Sequence, residues 1–76
     1  MIAAGKHTSA GGDATETITA TGAVAGDIAI VSLIAKGATP RTILTAVAAT
    51  DAITVTMSGD PSTDHIIGWQ LLRAVA

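Results

Sequence analysis

Three ionisable side chains cluster near the C-terminal end of the sequence: Asp60, Asp64 and His65, with Asp51 further upstream. Two carboxylates and an imidazole on one loop are ligand types for a metal ion. The spacing does not match a calcium loop, which places oxygen ligands at alternate positions and ends on a distal glutamate. Asp60 precedes Pro61 as a turn opener, and Asp64 is placed to cap the backbone of its own loop. The plainer reading is turn chemistry, so no metal and no cofactor are expected. Ser58 or Ser62 with His65 and Asp64 also spells the letters of a hydrolytic triad. Neighbours on a strand point to opposite faces, so Asp64 is poorly placed to orient His65. No elbow motif surrounds either serine, and no catalytic residue is expected.

The remaining candidates are weaker still. Gly5, Gly11 and Gly12 follow no strand and open no helix, so they do not form a phosphate cradle. His7 lies in a Gly-, Ala- and Ser-rich stretch, where it is solvated or touches a neighbour. Trp69 is the one aromatic residue. It can serve as a platform for carbohydrate or for a partner, but a lone tryptophan in a small β domain has the largest area to bury and more often anchors a core or an interface.

These residues sit on a short chain with an unusual balance. Its 76 residues leave room for one small domain with a thin core. There is no cysteine, so no disulfide supplements that core, and oligomerisation is the remaining source of burial. Charged residues make up 13% of the chain, half the usual share of about 25%. The longest uncharged apolar run, residues 28–35, is far short of the roughly 20 residues that span a bilayer. No basic stretch precedes the apolar start, so a signal peptide is not expected. Net charge is −2, and Lys6, Lys36, Arg41 and Arg73 are scattered. That excludes the basic patch with stacking aromatics of a free-standing nucleic-acid binder. A weakly charged surface rich in alanine and threonine fits a protein that hides much of itself against other subunits.

The chain in order reads as strands. Residues 1–14 (MIAAGKHTSAGGDA) show no period and carry a Gly-Gly-Asp breaker, which predicts a flexible, extended N-terminal arm. Residues 15–76 form the β domain. Residues 15–21 (TETITAT) alternate, with threonines on one face and Glu16, Ile18 and Ala20 on the other. Residues 27–36 (DIAIVSLIAK) are apolar on both faces, which predicts a central strand. Residues 41–49 (RTILTAVAA) also match helical spacing, but their threonines and flanking strands favour a strand. Residues 52–58 (AITVTMS) alternate cleanly, with Ile53, Val55 and Met57 inward. Residues 65–74 (HIIGWQLLRA) place His65, Ile67, Trp69, Leu71 and Arg73 on one face. Gly68 within that strand predicts a bulge or a close backbone approach. Residues 52–73 together predict a β-hairpin around the 59–64 loop. The fold expected is all-β: a small antiparallel five-stranded meander forming a sandwich or barrel, with open edges that invite neighbours.

The run GAVAGDIAIVSLIAKGATPRTILTAVAATDAITVTMSGDPSTDHIIGWQLLRA resembles small structural proteins of tailed bacteriophages. The resemblance rests on a G-x-x-x-x-D turn (22–27) before an apolar strand, a threonine-rich strand, a GDPSTDH loop, and a last strand ending in Leu-Arg. It covers residues 15–74. It implies a virion component without enzymatic activity: a capsid decoration (cement) protein on the capsid surface, whose partners are the major capsid protein and copies of itself, often as a homotrimer. A fibre or receptor-binding module is the alternative, with Trp69 and the 59–64 loop as its contact. Such proteins commonly thread an N-terminal arm onto the capsid. The contact residues expected on that basis are Ile2, Lys6 and His7 of the arm, and Trp69.

Overall fold

The computed structural model describes residues 3–73, so Ile2 lies outside the described residues. They form six strands: β1 (Ala3–Thr8), β2 (Thr15–Thr19), β3 (Ile28–Ala35), β4 (Ile43–Ala49), β5 (Ala52–Met57) and β6 (Ile66–Leu72). The strands make two three-stranded sheets, one ordered β1-β6-β3 and the other β2-β5-β4. Every pairing is antiparallel. The two sheets share one core, built from Ile18 on β2, Ile53, Val55 and Met57 on β5, and Ile67 and Leu71 on β6. Each of these buried aliphatics contributes about 1.5–3 kcal/mol of transfer free energy. The body is slender, 41 × 18 × 17 Å, so few side chains lie far from solvent.

The alternation of residues 15–19 and 52–57 is borne out. Glu16, Ile18, Ile53, Val55 and Met57 face inward, and the intervening threonines face outward. Residues 43–49 are a strand, not a helix. The tertiary reason is cross-strand pairing, Ala46 with Val55 and Ala48 with Ile53, which overrides the helix propensity of the alanines.

Four expectations require correction. There are six strands, not five, and the sixth lies inside the stretch expected to be a flexible arm: β1 pairs with β6 from Ala3↔Leu71 to Thr8↔Ile66. The inward positions of β1 are Ala3, Gly5 and His7, so no apolar alternation marks it. The Trp69 ring occupies the space that a side chain at position 5 would need. A Cβ built on Gly5 would sit 3.0 Å from Trp69 Cζ2. Residues 52–73 are not a hairpin. β5 is the central strand of one sheet and β6 of the other, and the 58–65 segment carries the chain between them. β4 and β5 do form a hairpin, turning at Thr50 and Asp51, with Asp51 at φ 56°. The arrangement is therefore not a meander. Finally, β3 is an edge strand rather than a central one.

The edge position of β3 leaves its apolar outer face uncovered. The exposed large hydrophobic residues among those described are Val24, Ile28, Ile30, Leu33, Ile34, Leu44 and Val47. All come from the stretch between residues 24 and 47. β3 and β4 approach each other where the two sheets meet. Ile30 and Ile34 open onto the outer face of the β1-β6-β3 sheet, and Val47, paired with Thr54, onto the outer face of the β2-β5-β4 sheet. Each of the two strands carries a bulge, between Leu33 and Ala35 and between Ile43 and Thr45. The extra residues are Ile34 and Leu44, which are 52% and 61% exposed. Bulges occur at sheet edges and re-aim a side chain, here an aliphatic one in both cases. Ile34 leans over Gly68, whose added Cβ would lie 2.8 Å from Ile34 Cδ1. The expected bulge or close backbone approach at Gly68 is thus replaced by a side-chain contact, and the bulge lies on the neighbouring strand.

Candidate functional site

The Asp60, Asp64 and His65 constellation is brought together only in part. His65 is fully buried at the start of β6, where its inward position follows from the phase of Ile67 and Leu71. Its backbone N–H donates to Ser9 Oγ at 3.1 Å, and its carbonyl accepts from Ser9 N–H at 2.9 Å. The ring Nε2 accepts the Arg41 backbone N–H at 3.2 Å. The ring proton therefore sits on Nδ1, and it is donated to Asp64 Oδ1 at 3.0 Å. Sequence reasoning placed Asp64 on the wrong face to reach His65. The contact forms because Asp64 precedes the regular strand, so strict alternation does not apply to it.

That geometry resembles half of a hydrolytic triad, but its chemistry is spent. The nitrogen that would serve as general base is occupied by a backbone amide. Ser58 Oγ accepts the Thr42 N–H at 3.0 Å. Ser62 sits exposed in the loop at φ 56°. Neither hydroxyl is aligned with His65 by a hydrogen bond.

The carboxylates likewise serve the backbone. Asp60 Oδ1 accepts from Ser62 N–H at 2.9 Å and Gly12 N–H at 3.2 Å, which ties the 59–64 loop to the β1–β2 connection. Arg41 Nε donates to the Asp60 carbonyl at 3.2 Å. Asp64 Oδ2 accepts the Ala38 N–H at 3.1 Å. The Ala38 amide is the main cause that holds the Asp64 carboxyl below its ordinary range; partial desolvation opposes it and the His65 contact adds to it. Asp51 lies at the β4–β5 turn and accepts the Gly22 N–H at 2.9 Å. Among the described residues, no three His, Asp or Glu side chains gather into a cation site.

A second cluster escaped the sequence reading. Glu16 is buried on β2. Its Oε1 accepts His7 Nε2–H at 2.9 Å and Ala10 N–H at 2.8 Å, and its Oε2 accepts Gly11 N–H at 3.1 Å. One carboxylate thus clasps β1 of one sheet and the following connection onto β2 of the other. The alternation of residues 15–19 put Glu16 inward, and an inward carboxylate demands donors. Nothing in the sequence says that they come from positions 7, 10 and 11. His7 is therefore a structural ligand of Glu16, half-buried rather than displayed.

The third polar cluster closes the far end. Arg73 donates to both Asp27 oxygens at 2.9 and 2.8 Å and to the Gly22 carbonyl at 3.1 Å. The Arg73 guanidinium is the main cause that lowers the Asp27 carboxyl to about 2.

Of the other expected contact residues, Lys6 is exposed on the outer face of the β1-β6-β3 sheet. Trp69 is half-buried, packed against the core and over Gly5. A depression of about 410 Å³ lies on that outer face, among Lys6, Ile30, Ser32, Ile34, Gly68 and Gln70. Lys6 is its one ionisable side chain, so it holds no acid–base pair. The outer face of the other sheet is largely hydroxylated: Thr15 and Thr45 flank Thr56, while Thr17 and the exposed Val47 flank Thr54. The molecule thus presents an apolar edge along β3 beside Lys6, and a threonine face across β2 and β5 that continues onto β4 as Thr45 and Val47. No protein-family model, curated protein or solved structure matches this chain.

Proposed function

We propose that this chain is a structural subunit without enzymatic activity, a virion protein that decorates and stabilises the capsid of a tailed bacteriophage. One observation carries the reading: the large apolar side chains left exposed among the described residues all come from residues 24–47, chiefly from the two edge strands β3 and β4. Contiguous exposed apolar surface marks a site of association. The likeness of residues 15–74 to small phage structural proteins supplies the biological setting. The polar clusters support the same reading, because His65, Asp60, Asp64 and Glu16 spend their hydrogen bonds on holding the body together.

The mechanism is mass action. A subunit that binds the assembled lattice and not its dissociated parts stabilises that lattice in proportion to its binding free energy. Many copies placed between capsid subunits add burial at each seam. Lys6 lies in the same depression as Ile30 and Ile34 and would share their contact, while the threonines of β2 and β5 stay free for a second one. The fibre or receptor-binding alternative would use Trp69 and the 59–64 loop. The half-buried packing of Trp69 over Gly5 favours the capsid reading.

The test is co-sedimentation of the purified chain with tailed-phage capsids, followed by heating of the loaded particles. Saturable binding and a higher disruption temperature are expected. Failure to bind any capsid in a panel, with binding to host cells or glycans instead, would overturn this function.

A further inference from the structure

The outer face of the β1-β6-β3 sheet has a gap at its centre. Outward positions on neighbouring strands line up in rows: Ala4, Gln70 and Ile30 form one, and Lys6, Gly68 and Ser32 the next. Gly68 has no side chain, so Lys6 and Ser32 flank bare backbone, two strand spacings or about 10 Å apart at their Cα atoms. Ile34 leans in over the same glycine, and Ser32 Oγ lies 3.5 Å from the place that a Cβ would take. This gap is the floor of the depression of about 410 Å³. Three polar side chains border it: the Lys6 ammonium, the Ser32 hydroxyl and the Gln70 amide. Among the described residues none of them has a side-chain hydrogen-bond partner, and Lys6 has no carboxylate in bridging distance. All three can donate, and the amine carries the one charge, so the complementary group is an acceptor with a single negative charge. Ile30 and Ile34, both exposed beside it, call for an aliphatic neighbour to that acceptor.

We propose that this depression receives an acidic segment of a partner protein. An Asp or Glu carboxylate of that segment sits over Gly68 between Lys6 and Ser32, and an aliphatic side chain two residues away packs on Ile30 or Ile34. Residues i and i+2 of an extended segment point the same way about 7 Å apart, which is also the spacing from the Gly68 row to the Gln70 row. A phosphate is a poorer match, because it carries nearly two charges and is held by forked or clustered cations, whereas Lys6 stands alone. A free small acid is a poorer match too, since ligand sites bury most of their occupant and a depression on a sheet face covers one side. The carboxylates of this chain are already committed. Asp13, Glu16, Asp27, Asp51, Asp60 and Asp64 each accept from their own chain's backbone, which points to an acid on a different protein. For the identity of that protein the proposal rests on the reading of this chain as a capsid-binding subunit, which makes the segment part of the major capsid protein.

The probe is the capped peptide acetyl-Leu-Ala-Glu-Ala-Leu-amide, titrated into the isotope-labelled full chain and followed by backbone amide chemical shifts. Saturable shifts are expected at Lys6, Ser32, Gly68 and Gln70, and none on the threonines of β2 and β5. The peptide with glutamine in place of glutamate should bind about threefold to fivefold more weakly, the worth of an exposed ion pair, and the peptide with lysine should bind weakest of the three. The difference should shrink at high salt. Lys6→Glu should reverse the order, so that the lysine peptide binds best. Gly68→Val, which fills the gap, should abolish binding; if that variant does not fold, Ser32→Val should show a severalfold loss for the glutamate peptide. Equal binding of the three peptides, no saturable shift, or an order that Lys6→Glu leaves unchanged would overturn the inference. Co-sedimentation with capsids separates this contact from the function. Lys6→Glu should weaken capsid binding severalfold. Capsid binding that is indifferent to Lys6→Glu overturns the contact alone; the expected peptide order without capsid binding leaves the site standing and removes the virion function.

Discussion

Glu16 gives the sharpest stability test, because one carboxylate holds three donors. Replacement by glutamine keeps the shape and leaves one carbonyl oxygen. That oxygen goes to the Oε1 position, where His7 and Ala10 both donate. The new NH₂ group then faces the Gly11 N–H, formerly accepted at 3.1 Å. An unsatisfied buried donor costs about 1–3 kcal/mol, and each surviving bond loses about 1 kcal/mol when the charge is removed. Gly11 is half-buried, so water recovers part of the loss. Glu16→Gln should therefore cost about 3 kcal/mol, and Glu16→Ala about 3–5 kcal/mol. A chain of 76 residues has about 4–11 kcal/mol to lose. Trp69, next to β1 across Gly5, is a built-in fluorescent reporter of the region that the clasp secures. In urea, with a slope of about 1 kcal/mol per molar, the midpoint of Glu16→Gln should fall by about 3 M. A fall of under about 0.5 M, within the uncertainty of such extrapolations, would refute the clasp as a determinant of the fold.

Further outcomes follow from the same geometry. Gly5→Val should cost about 1–3 kcal/mol and shift the Trp69 emission, because the new side chain enters space that the ring fills. Gly68→Ala meets only the flexible end of Ile34, so a thermal melt should show a loss of under about 1 kcal/mol. Gly11→Ala should cost about 1–3 kcal/mol in the same melt, since position 11 has φ +76° and its Cβ would lie 3.0 Å from the Ser62 main chain. For acid unfolding, the folded-state carboxyls of Asp27 and Asp64 lie below their unfolded values. Their contribution is complete above the unfolded value of 3.8 and for Asp27 is lost as pH falls toward about 2. Arg73→Ala should therefore flatten the stability profile between pH 4 and 2, as read by Trp69 fluorescence during acid titration.

The elements whose burial is decided within the chain could be read from sequence. Ile53, Val55 and Met57 alternate with threonines because one face of β5 meets the core and the other meets solvent. The same holds for β2 and for the phase of β6. Two features were not legible. β1 lacks an apolar period because Trp69 supplies the bulk that its own residues omit, so its strand character exists only in the presence of β6. The exposure of β3 was misread for a related reason. Two apolar faces normally signal two covering layers inside the fold. Here the outer face of β3 is left uncovered by the described residues. Loop carboxylates were legible as turn formers, but their partners were not. Asp60 reaches Gly12 and Asp64 reaches Ala38 across long stretches of sequence, and only topology creates those meetings.

The account turns on whether the exposed apolar stretch, residues 24–47, is a surface that another protein covers. Amide hydrogen exchange of the full chain, compared free and bound to tailed-phage capsids, tests that most directly. Protection gained on binding across residues 24–47, while the β2 and β5 threonine face stays unchanged, is the result expected. Exchange unaltered by binding on this stretch, or protection gained on the threonine face instead, would contradict it.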